Sequence, residues 1–272
     1  MIKMAMMVSA MVLAASGSVQ DTGDAKDAPV AKPGQAKEQK TLDQSLVEIT
    51  KPGQITVEDE QMNFEYTWPA KTVAIEPLNR LFEKRGREEH KKFKALTDEG
   101  KADASQYNYR FRPYELGKNW DIAAETPRFL SIAAGTYAYT GGAHGNSWFD
   151  SLVWDRETQS EMAPTGLFSS PAALEQAVRE DYCAGLNSQR AERMGMGAND
   201  RTGVFGDCPA LEELVVVFES KSGAAFDTIS LLAAPYVAGS YAEGPYEVKV
   251  PVTQAVIEAA KPAYREAFVL AQ

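Results

Sequence analysis

Histidine and cysteine are scarce in this 272-residue sequence, which contains two of each. The histidines, His90 and His144, stand alone rather than in an HExxH pair, so support for a zinc site is weak. The cysteines, Cys183 and Cys208, form neither a CxxC motif nor a zinc-ligand pattern, which argues against redox catalysis. A GxSxG nucleophile elbow and a P-loop are also absent from the sequence. We therefore expect no metal and no cofactor.

Basic residues are too few to balance the acidic ones, with 28 lysines and arginines against 38 aspartates and glutamates. The resulting formal net charge of -10 repels phosphate backbones and anionic lipid. Nucleic-acid binding is therefore disfavoured, whereas solubility and contacts with basic partners are favoured.

The apolar run at residues 4–15 is well short of the roughly 20 residues that span a bilayer. It follows Lys3 and precedes small residues at 15–18, which is the pattern of a cleaved secretory signal peptide. A buried helix or a short anchor is the alternative. Ser16 stands where a lipoprotein needs cysteine, so lipid anchoring is unsupported. We predict a signal peptide at residues 1–17 and a periplasmic or secreted protein with no stable membrane span after signal removal.

Residues 18–45 contain almost no large apolar side chains and are interrupted by proline and glycine, which predicts a flexible linker. The remainder, residues 46–272, is long enough for one domain or for two closely packed lobes with a boundary near residue 125. Because an exported chain meets an oxidising compartment, the two cysteines favour a Cys183–Cys208 disulfide. Two free buried thiols are the alternative.

Strand and helix patterns are mixed along residues 46–272. Alternating or short apolar runs predict strands at residues 61–69, 107–117, 128–140, 147–155, 211–220, 226–236 and 246–251. Helical spacing and end signals predict helices at about 73–104, at 169–186 with Ser170 as N-cap, and at 253–268 with a break at Pro262. His90 stands in a dense run of charges, which indicates a solvated helix face without a role. This order of elements predicts an α+β fold with mainly antiparallel sheets and a few packed helices, in two closely packed lobes.

The sequence YAYTGGAHGN, residues 137–146, predicts a hairpin loop whose glycines adopt positive φ and which presents His144 with little side-chain cover. A second segment, residues 235–251, places Tyr236, Tyr241 and Glu243 between glycines and prolines. We expect the two loops to lie close together, because each is a glycine-spaced insertion at the end of a strand. Glu243 could then hold His144 in one tautomer.

Two motifs in these segments, TGGAH at residues 140–144 and PYxxGxYAEG at residues 235–244, resemble a family of bacterial envelope domains of unknown function. That family forms the extracytoplasmic part of lysozyme-sensing anti-sigma factors of the RsiV type and the N-terminal region of peptidoglycan deacetylases of the PdaC type. The resemblance extends over about residues 55–267 and implies an α+β fold in two packed lobes and an envelope location. It implies no established reaction. Since the sequence shows no transmembrane helix, sigma-binding segment or deacetylase domain, we expect neither signalling nor deacetylation.

The first functional hypothesis is an exported binding module for cell-wall glycan or for a protein such as lysozyme. Its candidate ligand-binding residues are Tyr139, Gly141, Gly142, His144, Tyr236, Tyr241 and Glu243, and the faces of Tyr137 and the other tyrosines suit a sugar ring or an apolar surface. The second is an envelope hydrolase centred on His144, with Ser147 or Ser240 as nucleophile, or with Asp150 and Glu243 as zinc ligands. The third is a structural accessory domain in which His144 and Glu243 pair only to fix the loops. Enzyme activity is the weaker expectation.

Overall fold

The computed structural model describes residues 53–195 and 203–272, which belong to one unit spanning Gln44–Gln272. The predicted signal peptide at residues 1–17 and the predicted linker at residues 18–45 lie outside the described residues. The start of the domain at residue 46 does too, and the lobe boundary near residue 125 stays a prediction.

The first sheet has six strands: β1 (Gln54–Glu58), β2 (Met62–Thr67), β3 (Tyr114–Glu125), β4 (Phe129–Tyr139), β5 (Asn146–Asp155) and β6 (Ser160–Met162). They lie side by side in chain order. All neighbours are antiparallel except β2 and β3, which are parallel. Parallel neighbours need a long crossover connection, and a helix between β2 and β3 supplies it.

The crossover consists of α1 (Ala70–Val73) and the long helix α2 (Glu76–Gln106). Pro77 lies in the first turn of α2, where its missing N–H removes no helical hydrogen bond. One face of α2 is buried through residues at helical spacing: Leu78, Phe82, Gly86, His90, Phe93, Thr97, Gly100 and Ala104. The helix predicted at about residues 73–104 is confirmed within a few residues.

His90 was wrongly expected on a solvated helix face. Its side chain is 6% exposed, and its ring meets that of Phe64 edge-on with 5.1 Å between centroids. Its Nε2 has no hydrogen-bond partner among the described residues. The expectation failed because the spacing of a residue along a helix determines the face on which it lies. His90 follows the buried Phe82 and Gly86 at intervals of four, whereas its charged neighbours in sequence lie on other faces.

Burial makes His90 a source of acid sensitivity. Desolvation, and to a lesser extent Lys94, holds the pKa of His90 below its ordinary 6.5, while Asp59 opposes the shift. As the pH falls, the unfolded chain therefore binds a proton at this position before the folded chain does. The stability that His90 contributes is present above its unfolded pKa and is lost as the pH falls below it.

We expect the unfolding free energy of the wild type to fall as the pH drops below about 6.5, with His90 contributing at most about 1.4 kcal/mol per pH unit. In His90→Phe, which keeps an aromatic ring against Phe64, this contribution disappears. Urea unfolding at a series of pH values measures the difference. Equal pH dependence in the two proteins would contradict the prediction.

The second sheet has three antiparallel strands in chain order: β7 (Val215–Glu219), β8 (Thr228–Ala233) and β9 (Tyr246–Pro251). Helices α3 (Pro171–Met194) and α4 (Gln254–Ala259) pack with it. The predicted caps are present: Ser170 Oγ accepts the Ala173 N–H at 3.1 Å, and Thr253 Oγ1 accepts the Val256 N–H at 3.4 Å. After α4 the chain continues as 3₁₀ turns at Pro262–Ala267, so the predicted break at Pro262 is confirmed.

Strands β1 and β6 were not predicted, and two of the predicted strands begin later than expected. Residues 107–113 alternate in sequence but are irregular, and β3 begins only at Tyr114. Pro113 has no N–H to donate to a sheet ladder, so it ends the regular pairing there. Similarly, Leu211–Glu213 forms a 3₁₀ turn, and β7 begins only at Val215.

Two buried clusters fill the interior, and the long central strands serve both because their side chains alternate between the two faces of the sheet. Leu130 and Ile132 of β4 lie in the cluster with α2, whereas Phe129 of the same strand lies in the cluster with α3. Ser131 Oγ accepts the Phe218 N–H at 3.0 Å and so joins β4 to β7. The predicted α+β class with mainly antiparallel sheets is confirmed.

Candidate functional site

The first loop, residues 140–145, connects β4 to β5 and carries His144. Gly141 and Gly142 have φ of 96° and 86°, in the left-handed region that glycine adopts without strain. Tyr139 Oη donates a hydrogen bond to the Gly142 carbonyl at 3.2 Å and closes the turn. The predicted hairpin loop with positive-φ glycines is therefore confirmed.

Gly145, the third glycine of this loop, allows a close contact. A Cβ at this position would lie 2.4 Å from Cζ of Tyr137, so only glycine leaves room for that ring. Tyr137 is nevertheless 43% exposed. Tyr137 near the end of β4 and His144 in the loop are thus both exposed at this end of the sheet.

The second loop, residues 236–244, connects β8 to β9 and is braced by Glu243. The Ser240 N–H and the Ser240 hydroxyl donate to Glu243 Oε1 at 2.8 Å and 3.0 Å, and Tyr246 Oη donates to Oε2 at 2.6 Å. These bonds fix the 3₁₀ turn Tyr241–Glu243. The carboxylate therefore holds its own loop in shape.

Tyr236 occupies an uncommon backbone conformation at the start of the second loop. Its φ is 72°, in the left-handed region, and its side chain is 52% exposed. The conformation costs on the order of 1–3 kcal/mol for a non-glycine residue and persists only where the surrounding structure enforces it. The Tyr236 N–H bonds to the Gly239 carbonyl at 3.0 Å, which contributes to that enforcement.

The two loops meet, as predicted. The rings of His144 and Tyr241 are stacked, with 3.8 Å between centroids and 20° between planes. Tyr236 lies alongside, 5.8 Å from the Tyr241 ring, and its Oη is 3.5 Å from His144 Nε2. The result is one surface of aromatic rings contributed by two different sheets.

His144 does not take Glu243 as its orienting partner, contrary to the hypothesis drawn from sequence. Its Nδ1 is 2.9 Å from the Gly145 carbonyl, and because a carbonyl can only accept, Nδ1 carries the proton. In the neutral ring Nε2 is then the acceptor, and Tyr236 Oη is its donor at long range. The pairing fails because the carboxylate of Glu243 is directed at Ser240 and Tyr246.

The hydrolase and zinc hypotheses gain little from this geometry. A serine nucleophile needs a base within hydrogen-bond reach, yet the Ser240 hydroxyl donates to Glu243 and the ring nitrogens of His144 have other partners. Asp150, a candidate zinc ligand, accepts a bond from Lys118 Nζ at 2.7 Å. Among residues 53–195 and 203–272 no cluster of three or more potential ligands could hold a metal ion.

Sequence reasoning missed the residues that hold the second loop from behind. Arg190 and Arg193, near the end of α3, donate to backbone carbonyls of this loop at Ala238 and Glu243. Their spacing of three places them about one helical turn apart, which is the only signal the sequence carried. Sequence reasoning also missed Tyr114, whose ring approaches Gly141 of the first loop.

No helix in the described part of the chain is long and apolar enough to cross a membrane. No curated protein matches the chain. Two solved structures resemble it at low similarity. One is a DUF3298 family member from Bacteroides fragilis NCTC 9343, with 18% identity, a TM-score of 0.47, and coverage of 73% of this chain and 88% of that chain. The other is a DUF3298 family protein from Pseudomonas aeruginosa PAO1, with 15% identity, a TM-score of 0.45, and coverage of 78% and 90%.

Residues 55–147 match the protein family described as deacetylase PdaC. The match covers about a third of the chain, includes the TGGAH motif at residues 140–144 and ends before the second motif. The structure also joins Cys183 to Cys208 by the disulfide that the sequence favoured, which fits an extracytoplasmic domain. The resemblance inferred from the motifs is thus confirmed over residues 55–147, which are similar to the PdaC-type family.

Proposed function

We propose that this protein is an extracytoplasmic binding module whose ligand surface is formed by the loops at residues 140–145 and 236–244. The stack of His144 on Tyr241 carries the proposal, because it unites two loops from different sheets in one exposed surface. Tyr236, whose backbone is in the left-handed region, adds a half-exposed ring to the same surface. A structural strut would hide such groups, whereas recognition requires their display on a rigid scaffold.

Cell-wall glycan is the ligand that this surface supports best. The exposed tyrosine rings can pack against the apolar faces of sugar rings. The tyrosine hydroxyls and the imidazole of His144 stand at the edge of these faces and can exchange hydrogen bonds with sugar hydroxyls. The hypothesis of a purely structural His144–Glu243 pair loses support, since each residue has other partners.

A basic protein such as lysozyme is the second candidate ligand. The formal net charge of -10 would attract such a partner and accelerate its encounter with the domain. Tyrosine is also among the residues enriched at the centre of protein interfaces. Catalysis is not part of the proposal, because no nucleophile or metal site supports it among the described residues.

Co-sedimentation with insoluble peptidoglycan tests the proposal. We expect full-length exported protein to pellet with peptidoglycan and Tyr236→Ala to bind at least about tenfold more weakly. Leu270→Ala is the control, because Leu270 is also exposed, at 49%, but lies near the opposite end of β4 from the first loop. The N–H of its neighbour Val269 bonds to the Phe226 carbonyl, and the Phe226 ring contacts Phe129 at the start of β4. Immobilised lysozyme is probed in parallel to identify the second candidate. Wild-type protein that binds neither material would contradict the proposal.

Export is tested separately. The protein recovered from the periplasm should begin between residues 16 and 20 and remain in the supernatant when membranes are pelleted. N-terminal sequencing and fractionation measure both properties. An N-terminus that still reads Met-Ile-Lys, or sedimentation with membranes at high salt, would count against a cleaved signal.

A further inference from the structure

Arg190 of α3 is a buried charged residue, 2% exposed, that reaches two separate segments of the chain. Its Nε and Nη2 donate to the Ala238 carbonyl in the second loop, at 3.1 Å and 2.7 Å. The same Nη2 donates to the Asp207 carbonyl at 3.2 Å. One guanidinium therefore bridges the second loop and the segment that contains Cys208.

The segment at residues 207–209 is clamped on α3 by three side chains. The Cys183–Cys208 disulfide brings the two Cα atoms to 5.7 Å. Arg179 Nη2 donates to the Cys208 carbonyl at 3.2 Å, one helical turn before Cys183. Since Arg179, Cys183 and Arg190 are separated by four and seven residues, they lie on the same face of α3.

Arg193 holds the other end of the second loop. Its Nη1 donates to the Glu243 and Pro245 carbonyls, each at 2.8 Å, and its guanidinium lies 4.0 Å from the centre of the Tyr246 ring. Unlike Arg190, it lies on the exposed side of α3. Of the two arginines that hold the second loop, Arg190 is thus the one that also contacts the disulfide-bonded segment.

We propose that Arg190 is a positioning residue for the ligand surface and that the Cys183–Cys208 disulfide sets this surface through it. The disulfide fixes the Asp207 carbonyl, which orients the guanidinium, and the guanidinium fixes Ala238 within the loop that carries Tyr236 and Tyr241. The stack of His144 on Tyr241 then depends on a disulfide located about two turns before Arg190 on the same face of α3. This inference rests on the proposed function only for the consequence that ligand binding weakens when the stack is lost.

Histidine proton NMR of the full-length protein tests the coupling without any ligand, because the chain has two histidines. The Hε1 resonance of His144 should be displaced by the ring current of Tyr241, which lies at 3.8 Å. That of His90, which lies on the buried face of α2 against Phe64, reports whether the fold persists. His144→Gln assigns the two resonances.

The variants are Arg190→Lys, which keeps the charge but cannot serve both carbonyls with a planar fork, and Cys183→Ser combined with Cys208→Ser. Each should move the His144 resonance toward its unstacked position and leave the His90 resonance in place. Arg179→Met is the control, because Arg179 contacts the Cys208 segment without reaching the second loop, and its His144 resonance should not move. In the two variants that lose the stack, peptidoglycan binding should weaken at least about tenfold.

An unchanged His144 resonance in Arg190→Lys overturns the role of Arg190, and an unchanged resonance in the double serine variant overturns that of the disulfide. If Arg190→Lys unfolds, so that both resonances lose their native positions, the double serine variant decides because it retains Arg190. The two failures are distinguishable. If the His144 resonance moves in the variants but the wild type binds neither peptidoglycan nor lysozyme, the coupling is supported and the proposed function is rejected.

Discussion

His144→Ala should weaken ligand binding by at least about 2 kcal/mol, roughly 30-fold in Kd, while the Tm falls by no more than about 4 °C. The large effect on binding follows from the position of the ring, which is stacked on Tyr241 in the centre of the proposed surface. The small effect on stability follows from exposure: among the described residues, the imidazole bonds only to the adjacent Gly145 carbonyl and, at 3.5 Å, to Tyr236. Peptidoglycan co-sedimentation and thermal unfolding measure the two quantities.

His144→Phe is the matched variant, because it keeps an aromatic ring against Tyr241 and removes both ring nitrogens. If stacking alone forms the surface, this variant binds like the wild type. If the imidazole also exchanges hydrogen bonds with the ligand, it binds as weakly as His144→Ala. Unchanged binding together with clear destabilisation in His144→Ala would show that the residue is a strut, and would remove the main support for the proposed function.

The double variant Cys183→Ser, Cys208→Ser should be less stable than the wild type by about 3 kcal/mol. The disulfide closes a loop of 25 residues, and the chain-entropy argument assigns this stabilisation to the lost freedom of the unfolded chain. For a domain of this size the Tm should fall by roughly 6–12 °C. Differential scanning calorimetry of both proteins, purified from an oxidising compartment, measures the shift.

Non-reducing peptide mass mapping provides the control for this prediction. The wild-type digest should contain a Cys183–Cys208 linked peptide, and the folded protein should have no alkylatable thiol. Two alkylatable thiols in folded exported protein would contradict the bridge and weaken the argument for export. A Tm that is unchanged in the double serine variant would instead mean that the arginine contacts of α3 hold the segment without the bridge.

The loop at residues 140–145 illustrates what local sequence can predict. Glycines at 141 and 142 predict a turn with positive φ, since the conformation is a property of the residue itself. The caps at Ser170 and Thr253 were predictable for the same reason, because a cap bonds within three residues of its own position. Alternation likewise predicted β4 and β5 nearly to their ends.

His90 illustrates where local reasoning fails. The charged residues around it in the sequence predicted an exposed side chain. The sheet that packs on α2 instead covers His90 and leaves its Nε2 without a partner among the described residues. The helical interval of four from Phe82 and Gly86 was readable in the sequence, but nothing local said which face of α2 would be covered. That choice belongs to the sheet, whose strands come from before and after the helix.

The sequence by itself determined the α+β class, the strands and helices other than β1 and β6, the two glycine-rich loops and the pairing of the only two cysteines. Only the tertiary structure decided that those two loops contact each other, and through which residues. His144 and Tyr236 are 92 residues apart, and the contact between them depends on how two sheets pack, which no periodicity records. Glu243 accepts hydrogen bonds from its own loop, and Arg190 donates to the Ala238 carbonyl of that loop. Both results depend on tertiary packing, because hydrogen bonds form with the groups that the packed backbone brings within about 3 Å.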